Sequence, residues 1–281
     1  MQSTANKPKA LNFFSIDLED WFHILDSDAA PSMETWTTQE ARVEANTQKL
    51  LDELEHADVR ATFFVLGWIA DHYPALVRRI ADAGHEVASH GYAHSLIYEQ
   101  TPQEFRDDLR RASDAIEAAA GTRPRGFRAP GFSIREDSDW ALDVLAAEGF
   151  DYDSSVFPTS RAHGGLPGAD AQPTVLPNGL REFPISTIDT PLGRLAYLGG
   201  GYLRVFPTPL ILHWARSQKA RNESLVLYLH PRDIDIGQPR LSLGAVRNFK
   251  SYVGLAGCLD KVKTLLSEFD WVPFRDDAAS N

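Results

Sequence analysis

Residues 85–121 read HEVASHGYAHSLIYEQTPQEFRDDLRRASDAIEAAAG. The segment opens with a short run, 85–89, that passes into polar residues, and it closes in a fully punctuated helix. Thr101 is placed as the N-cap, Pro102 takes the first helical position, Glu104 closes a capping box and Gly121 stands just past the end. The apolar stripe Phe105, Leu109, Ala112, Ile116 and Ala119 advances by fours and threes, as one face of a helix requires. A strand followed by an amphipathic helix is the unit from which α/β folds with parallel sheets are built.

The same alternation extends in both directions. Strands are expected at 11–17, 61–66, 85–89, 126–128, 150–153, 225–230 and 271–274, most of them short and apolar throughout, as parallel strands buried on both faces are. Helices are expected near 39–55, 74–83, 137–148 and 249–269, with Gly84 and Gly149 as stops. Between 156 and 209 the alternation fails, and proline and glycine accumulate, including Gly199, Gly200 and Gly201. This stretch is expected to be an irregular or β-rich insertion within a single domain spanning 1–281. Its glycines do not make a dinucleotide fingerprint, because Arg204 stands where a third glycine belongs and a helix would have to open directly after the turn.

With 281 residues, 43% of them hydrophobic and 24% charged, the chain can bury a core without a disulfide or a structural metal. Lys and Arg number 28 against 39 Asp and Glu, a net charge of −11, which argues against a broad basic face for nucleic acid or anionic lipid, though not against a local basic pocket. The one cysteine, Cys258, excludes an internal disulfide; it falls in an apolar helical pattern that suits a buried, inert thiol. The opening MQSTANKPKA carries no apolar leader segment, and no later window reaches the length of a membrane span. A cytoplasmic protein, free or at the membrane face, is the expectation.

Chemistry-bearing residues gather where strands end, the place where parallel α/β folds build their sites. His90 and His94 have a spacing that lets two imidazoles share one metal, although one exposed and one capping histidine would explain the pair as simply. Asp17, Glu19 and Asp20 crowd three carboxylates into four residues, a repulsion that a divalent cation relieves. One of them with the two histidines makes an open His, His, carboxylate set, characteristic of catalytic zinc. Arg128 can fork to a carboxylate in the site or in a plain salt bridge. His230 ends an apolar strand, and Asp153 either orients an imidazole or starts a turn, the turn having the stronger prior. Trp21, Phe22, Tyr92, Trp140, Tyr202 and Phe206 offer aromatic faces on which a ligand can stack, with ordinary packing the simpler role for each.

In order along the chain, SIDLED (15–20), ATFFVLG (61–67), SHGYAH (89–94), RAPGF (128–132), DYDSS (151–155) and LYLH (227–230) resemble the polysaccharide deacetylases of carbohydrate esterase family 4. The SIDLEDWFH opening, GGGYLRVFP and LHPRDID look most like the branch associated with exosortase and exopolysaccharide export. The resemblance implies a distorted (β/α)7 barrel and metal-dependent, most simply zinc-dependent, removal of acetyl groups from N-acetylated amino sugars. It further implies Asp17 as catalytic base, His90 and His94 as ligands, Arg128 as the residue positioning the base, and His230 as acid. The family's two adjacent aspartates are replaced here by Asp17, Glu19 and Asp20; Asp20 is favoured as the third ligand and Glu19 held as the alternative. A backbone N–H at Gly131 or Phe132 is expected to meet the oxyanion, with Trp21 and Tyr92 as candidate substrate contacts. Alternatives are an amidohydrolase acting on small ureides or formyl groups, and a carbohydrate-binding barrel without activity.

Overall fold

A computed structural model describes residues 9–25, 27, 29–160, 164–191 and 193–278; residues 1–8, read above as a polar start, lie outside the described residues. In chain order, β1 (Asn12–Leu18) leads to α1 (Val43–His56), β2 (Thr62–Val65), α2 (Gly67–His72), α3 (Pro74–Asp82) and β3 (Glu86–Ser89). Next come α4 (Pro102–Ala120), β4 (Gly126–Phe127), α5 (Trp140–Ala147), β5 (Tyr152–Asp153), β6 (Thr174–Val175) and β7 (Arg181–Glu182). A hairpin of β8 (Thr187–Thr190) and β9 (Gly193–Ala196) precedes α6 (Gly200–Val205), α7 (Thr208–Ala220) and β10 (Leu225–Leu229). The chain ends with α8 (Ala245–Tyr252), α9 (Cys258–Glu268) and α10 (Arg275–Ala278).

The main sheet runs β10-β1-β2-β3-β4-β5-β7-β6, parallel from β10 to β7, with β6 antiparallel at the edge. Irregular chain after β7 draws the two ends of the curled sheet together. The Ser186 N–H donates to the Val226 carbonyl (3.4 Å), the Val226 N–H donates to Ser186 Oγ (2.8 Å), and Gly199 bridges Tyr228. The result is the distorted (β/α)7 barrel that the motifs imply, its seam made by loops.

Strand alternation sorts the side chains. Phe14, Ile16, Leu18, Phe63, Val65, Leu225, Leu227 and Leu229 face outward and pack beneath the helices. Phe13, Phe64, Ala88, Tyr152, Val226 and Tyr228 face inward and, with Phe183 and Phe274, fill the barrel. Ser15 and Asp17 share the parity of Phe13, which sends them into the interior on a strand buried along its whole length.

Around α4 the structure follows the sequence closely: Thr101 and Glu104 form the reciprocal capping box, and Gly121 closes the helix in the left-handed region. Other elements differ. The expected strand at 271–274 is reduced to one parallel bridge, Val272 to Phe13, because Pro273 has no N–H to pair and Phe274 turns in to stack on Phe13 (4.9 Å) and Tyr152 (5.4 Å). The single helix expected at 249–269 is broken into α8 and α9 at Gly254 (φ 69°), where a side chain would strike the Arg204 carbonyl. Contrary to expectation, a helix does open directly at Gly200. Gly199 nonetheless serves packing, since any Cβ there would collide with the Tyr228 ring, the wall shared with the barrel interior. Helices α2 and α7 were not anticipated. Cys258 is fully buried, and burial pushes its thiol up to about 12, as an inert core thiol requires.

Candidate active site

Inward parity at the strand ends assembles one cluster. Asp17 stands next to the last residue of β1, His90 follows β3, Arg128 follows β4 and His230 follows β10, all two residues on from an inward neighbour or in step with one. The Glu19 N–H donates to the Asp17 carbonyl (2.9 Å), a tight turn that keeps Glu19 on the same side as Asp17. Glu19 Oε1 then lies 3.0 Å from His90 Nε2 and 2.9 Å from His94 Nε2.

Glu19, His90 and His94 offer ligand atoms that all lie within 4.8 Å of one another, and all three residues are buried. The contact between His90 and the Arg128 carbonyl tests whether a cation fits. His90 Nδ1 is 2.7 Å from that oxygen, which can only accept, so Nδ1 carries the hydrogen and Nε2 presents a lone pair to a carboxylate oxygen. Two acceptors at that distance need a positive charge between them, and the donor set fits a divalent cation. Burial raises the Glu19 carboxyl, but the surrounding imidazoles of His94, His230 and His90 outweigh it and hold the group well below the usual carboxylate range.

Asp20, favoured above as the third ligand, does not join this group. Its Oδ2 accepts the N–H groups of Arg42 (2.7 Å) and Val43 (2.9 Å) at the start of α1, and its Oδ1 accepts the Trp21 N–H (2.7 Å). The turn after β1 is the physical reason: it leaves Glu19 on the inward side with Asp17, whereas residue 20 turns toward the helix layer and meets the N–H groups at the start of α1. Burial nevertheless raises the Asp20 carboxyl above its usual value, against the pull of these N–H groups. The Asp20 N–H in turn donates to Nδ1 of His23 (2.8 Å), whose ring is enclosed by Phe22, Trp36 and Trp68.

Arg128 is completely buried. Its Nη1 donates to Asp17 Oδ1 (2.7 Å) and Ser15 Oγ (2.8 Å), while Nε and Nη2 donate to the carbonyl and hydroxyl of Ser154 (3.0 and 2.8 Å). The guanidinium lies 4.1 Å above the Phe64 ring. The second oxygen of Asp17 is 3.8 Å from His230 Nε2, and the His230 side chain keeps 22% exposure, against 2% for Asp17. The cluster therefore meets solvent at His230.

Asp153, considered as an orienter of His230, does not reach it. Its carboxylate accepts the Ser155 N–H (2.9 Å) and hydroxyl (2.6 Å), the turn reading, and sits against Glu182. The residue that reaches His230 was missed. Asp233 Oδ2 lies 2.9 Å from both the backbone N and Nδ1 of His230, and its Oδ1 lies 2.8 Å from Nε of buried Arg204. The signal was present in HPRD: a proline at the first helical position and an acid three residues after the cap, the capping-box spacing. Burial pushes His230 down, but Glu19, Asp233 and Asp17 outweigh it and carry the imidazole up to about 9. Arg204 and His230 hold Asp233 far below the usual carboxylate range despite its burial.

Of the two oxyanion candidates, Phe132 has its N–H engaged by the Ala129 carbonyl (2.9 Å), which leaves Gly131. Trp21 and Tyr92 are not sugar platforms: both are buried, Trp21 Nε1 donates to the Glu40 carbonyl, and Tyr92 lies under Arg111 with its hydroxyl on Asp71. Phe22 is buried, Trp140 packs on Phe105 and Phe206 on Trp214. Tyr202, half-buried against Phe157, stays beside the ring wall of Phe132 and Tyr228.

Residues 28–151 match the polysaccharide deacetylase family, and residues 154–278 match DUF3473, a domain of unknown function. A peptidoglycan-N-acetylglucosamine deacetylase of Bacillus cereus is 26% identical over 170 residues, covering 56% of this chain and 61% of that protein. A chitooligosaccharide deacetylase of Bradyrhizobium is 41% identical over 101 residues, 36% of this chain and 43% of that protein. This chain thus spans less than two thirds of the length of these relatives. The crystal structure of a polysaccharide deacetylase from Mycobacterium smegmatis superposes with a TM-score of 0.66 at 22% identity, over 96% of this chain and 89% of that one. Residues 28–151 are thus a polysaccharide deacetylase domain, and the fold of a polysaccharide deacetylase extends over nearly the whole chain.

Proposed function

We propose that this protein is a metal-dependent hydrolase that removes N-acetyl groups from amino sugars of a glycan, releasing acetate. The observation that carries the reading is the meeting at one barrel mouth of Glu19, His90 and His94 with an Arg128-held Asp17 and with His230, 3.8 Å from that carboxylate. The halves 28–151 and 154–278 both supply parts of it, so the two act as one unit: Ser154 steadies Arg128, and His230, Asp233 and Arg204 form the opposite wall.

An amide is a weak electrophile with a poor leaving group, so hydrolysis near neutral pH needs a stronger nucleophile than water, a stabilised oxyanion and a protonated amine. A divalent cation held by Glu19, His90 and His94, zinc on the chemistry of the donors, supplies Lewis acidity and lowers the pKa of water at the site. Asp17 is the base. Its second oxygen faces the cluster while Arg128, itself braced by Ser15 Oγ, holds the first, so it takes a proton without moving. Asp233 accepts the Nδ1 hydrogen of His230, which points Nε2 into the site to deliver a proton to the departing amine. The Gly131 N–H is the backbone donor assigned to the oxyanion. A substrate carried on lipid, or an exopolysaccharide in assembly, matches the branch that the opening motif resembles.

Asp17→Asn keeps the shape and removes the base. Acetate release from acetylated chito-oligosaccharides should fall by about 10²–10⁴-fold, with metal content by elemental analysis unchanged. Metal lost along with activity would make Asp17 a ligand, and unchanged turnover would remove it from the mechanism.

A further inference from the structure

Large apolar side chains open to solvent are unevenly placed. Among the described residues they are Val175, Val205, Leu210, Ile236, Val246 and Phe249, so all but one fall between 205 and 249. Val246 (71% exposed) and Phe249 (58%) stand three apart on α8, hence on one helix face, and Tyr252 anchors that helix inward. Val205 ends α6, whose Arg204 binds the carbonyls of Lys250, Ser251 and Val253 at the other end of α8. The two helices therefore present one continuous rim.

Charge is as uneven as exposure. In a chain of net −11, no acid occurs from 190 to 222 or from 236 to 259, and the second stretch holds Arg240, Arg247 and Lys250. Apolar side chains open to solvent, on stretches that carry cations and no acid, complement the boundary of an anionic bilayer, where apolar side chains sink below the headgroups and Lys and Arg meet phosphates. Arg204 also touches Asp233, so the rim lies two side chains from His230, at the solvent-facing edge of the site.

We infer that α8 and the α6–α7 turn dock the protein on an anionic lipid surface, presenting the barrel mouth to a glycan anchored in that surface. The glycan half of this statement rests on the deacetylase reading; the docking half does not.

The test is sedimentation of the full chain with phosphatidylcholine vesicles, with and without phosphatidylglycerol, at low and high salt. Binding to the anionic vesicles alone, weakened by salt and reduced about tenfold or more in Val246→Glu/Phe249→Glu, is the expected result. Acetate release from a soluble oligosaccharide should be unaffected by that double variant. Phe249→Trp gives a second reading that needs no disruption: its emission should shift to the blue only with anionic vesicles. Equal partitioning to both vesicle types, or no partitioning, overturns the inference, as does self-association without lipid that the double variant abolishes. Docking without acetate release would instead overturn the deacetylase reading and leave the surface intact.

Discussion

Asp20 and Glu19 are neighbours with opposite tasks, and substitution separates them. Glu19→Gln removes the charge between two imidazoles, so metal retained after dialysis should fall by at least an order of magnitude, within the about 10–100-fold or greater range of ligand-shell losses. Asp20→Ala should keep the metal but unfold more easily by about 0.5–2 kcal/mol, since three N–H groups at and near the α1 start lose their acceptor. Elemental analysis beside urea unfolding reads both; a metal-free Asp20→Ala with unchanged stability would restore Asp20 as the ligand. Asp233 acts on His230 through Nδ1 and the backbone N–H. Asp233→Asn should therefore lower kcat by roughly 10–100-fold, as loss of an orienting partner does, with metal affinity unchanged, measured by steady-state kinetics and competition with a chelator.

The elements show how local signals and tertiary contacts divide the work. α4 stands where its cap, proline and terminal glycine put it, because each of those signals acts within one turn of the helix. The expected long helix at 249–269 has no comparable internal stop except Gly254, and a lone glycine in a helical pattern costs only about 1 kcal/mol, too little to break it unaided. What breaks it is Arg204, which takes the carbonyls of residues 250, 251 and 253 and brings its own backbone against Gly254. Gly254→Ala combines a positive φ with that backbone contact, and a loss of more than about 1 kcal/mol is expected in urea unfolding. A stabilised variant would mean that the break is soft and the helix ready to continue.

Across the whole molecule, the barrel is closed by packing at its floor and by loops at its seam, and its acid sensitivity follows from groups buried there. His85 accepts the Ala61 N–H through Nδ1 (3.2 Å), and burial together with the cations Arg60 and Arg275 lowers its pKa to about 4. The unfolded chain binds this proton near pH 6.5 and the folded chain only near 4, so its contribution is complete above 6.5 and is lost as pH falls toward 4. The urea midpoint of His85→Gln should therefore drop less between pH 7 and 4.5 than that of the wild type; parallel losses would assign the sensitivity to carboxylates instead. By itself the sequence determined the alternation of buried strands with amphipathic helices, and with it the strand ends at which Asp17, His90, His94, Arg128 and His230 stand, because these follow from periodicity and capping within a few residues. Tertiary structure alone decided that Glu19 and not Asp20 faces the imidazoles and that Trp21 and Tyr92 are core. Each of those outcomes depends on which partner a side chain meets across the barrel. The contacts that turn Glu19 inward join it to residues 71 and 75 positions away, beyond the reach of any local pattern.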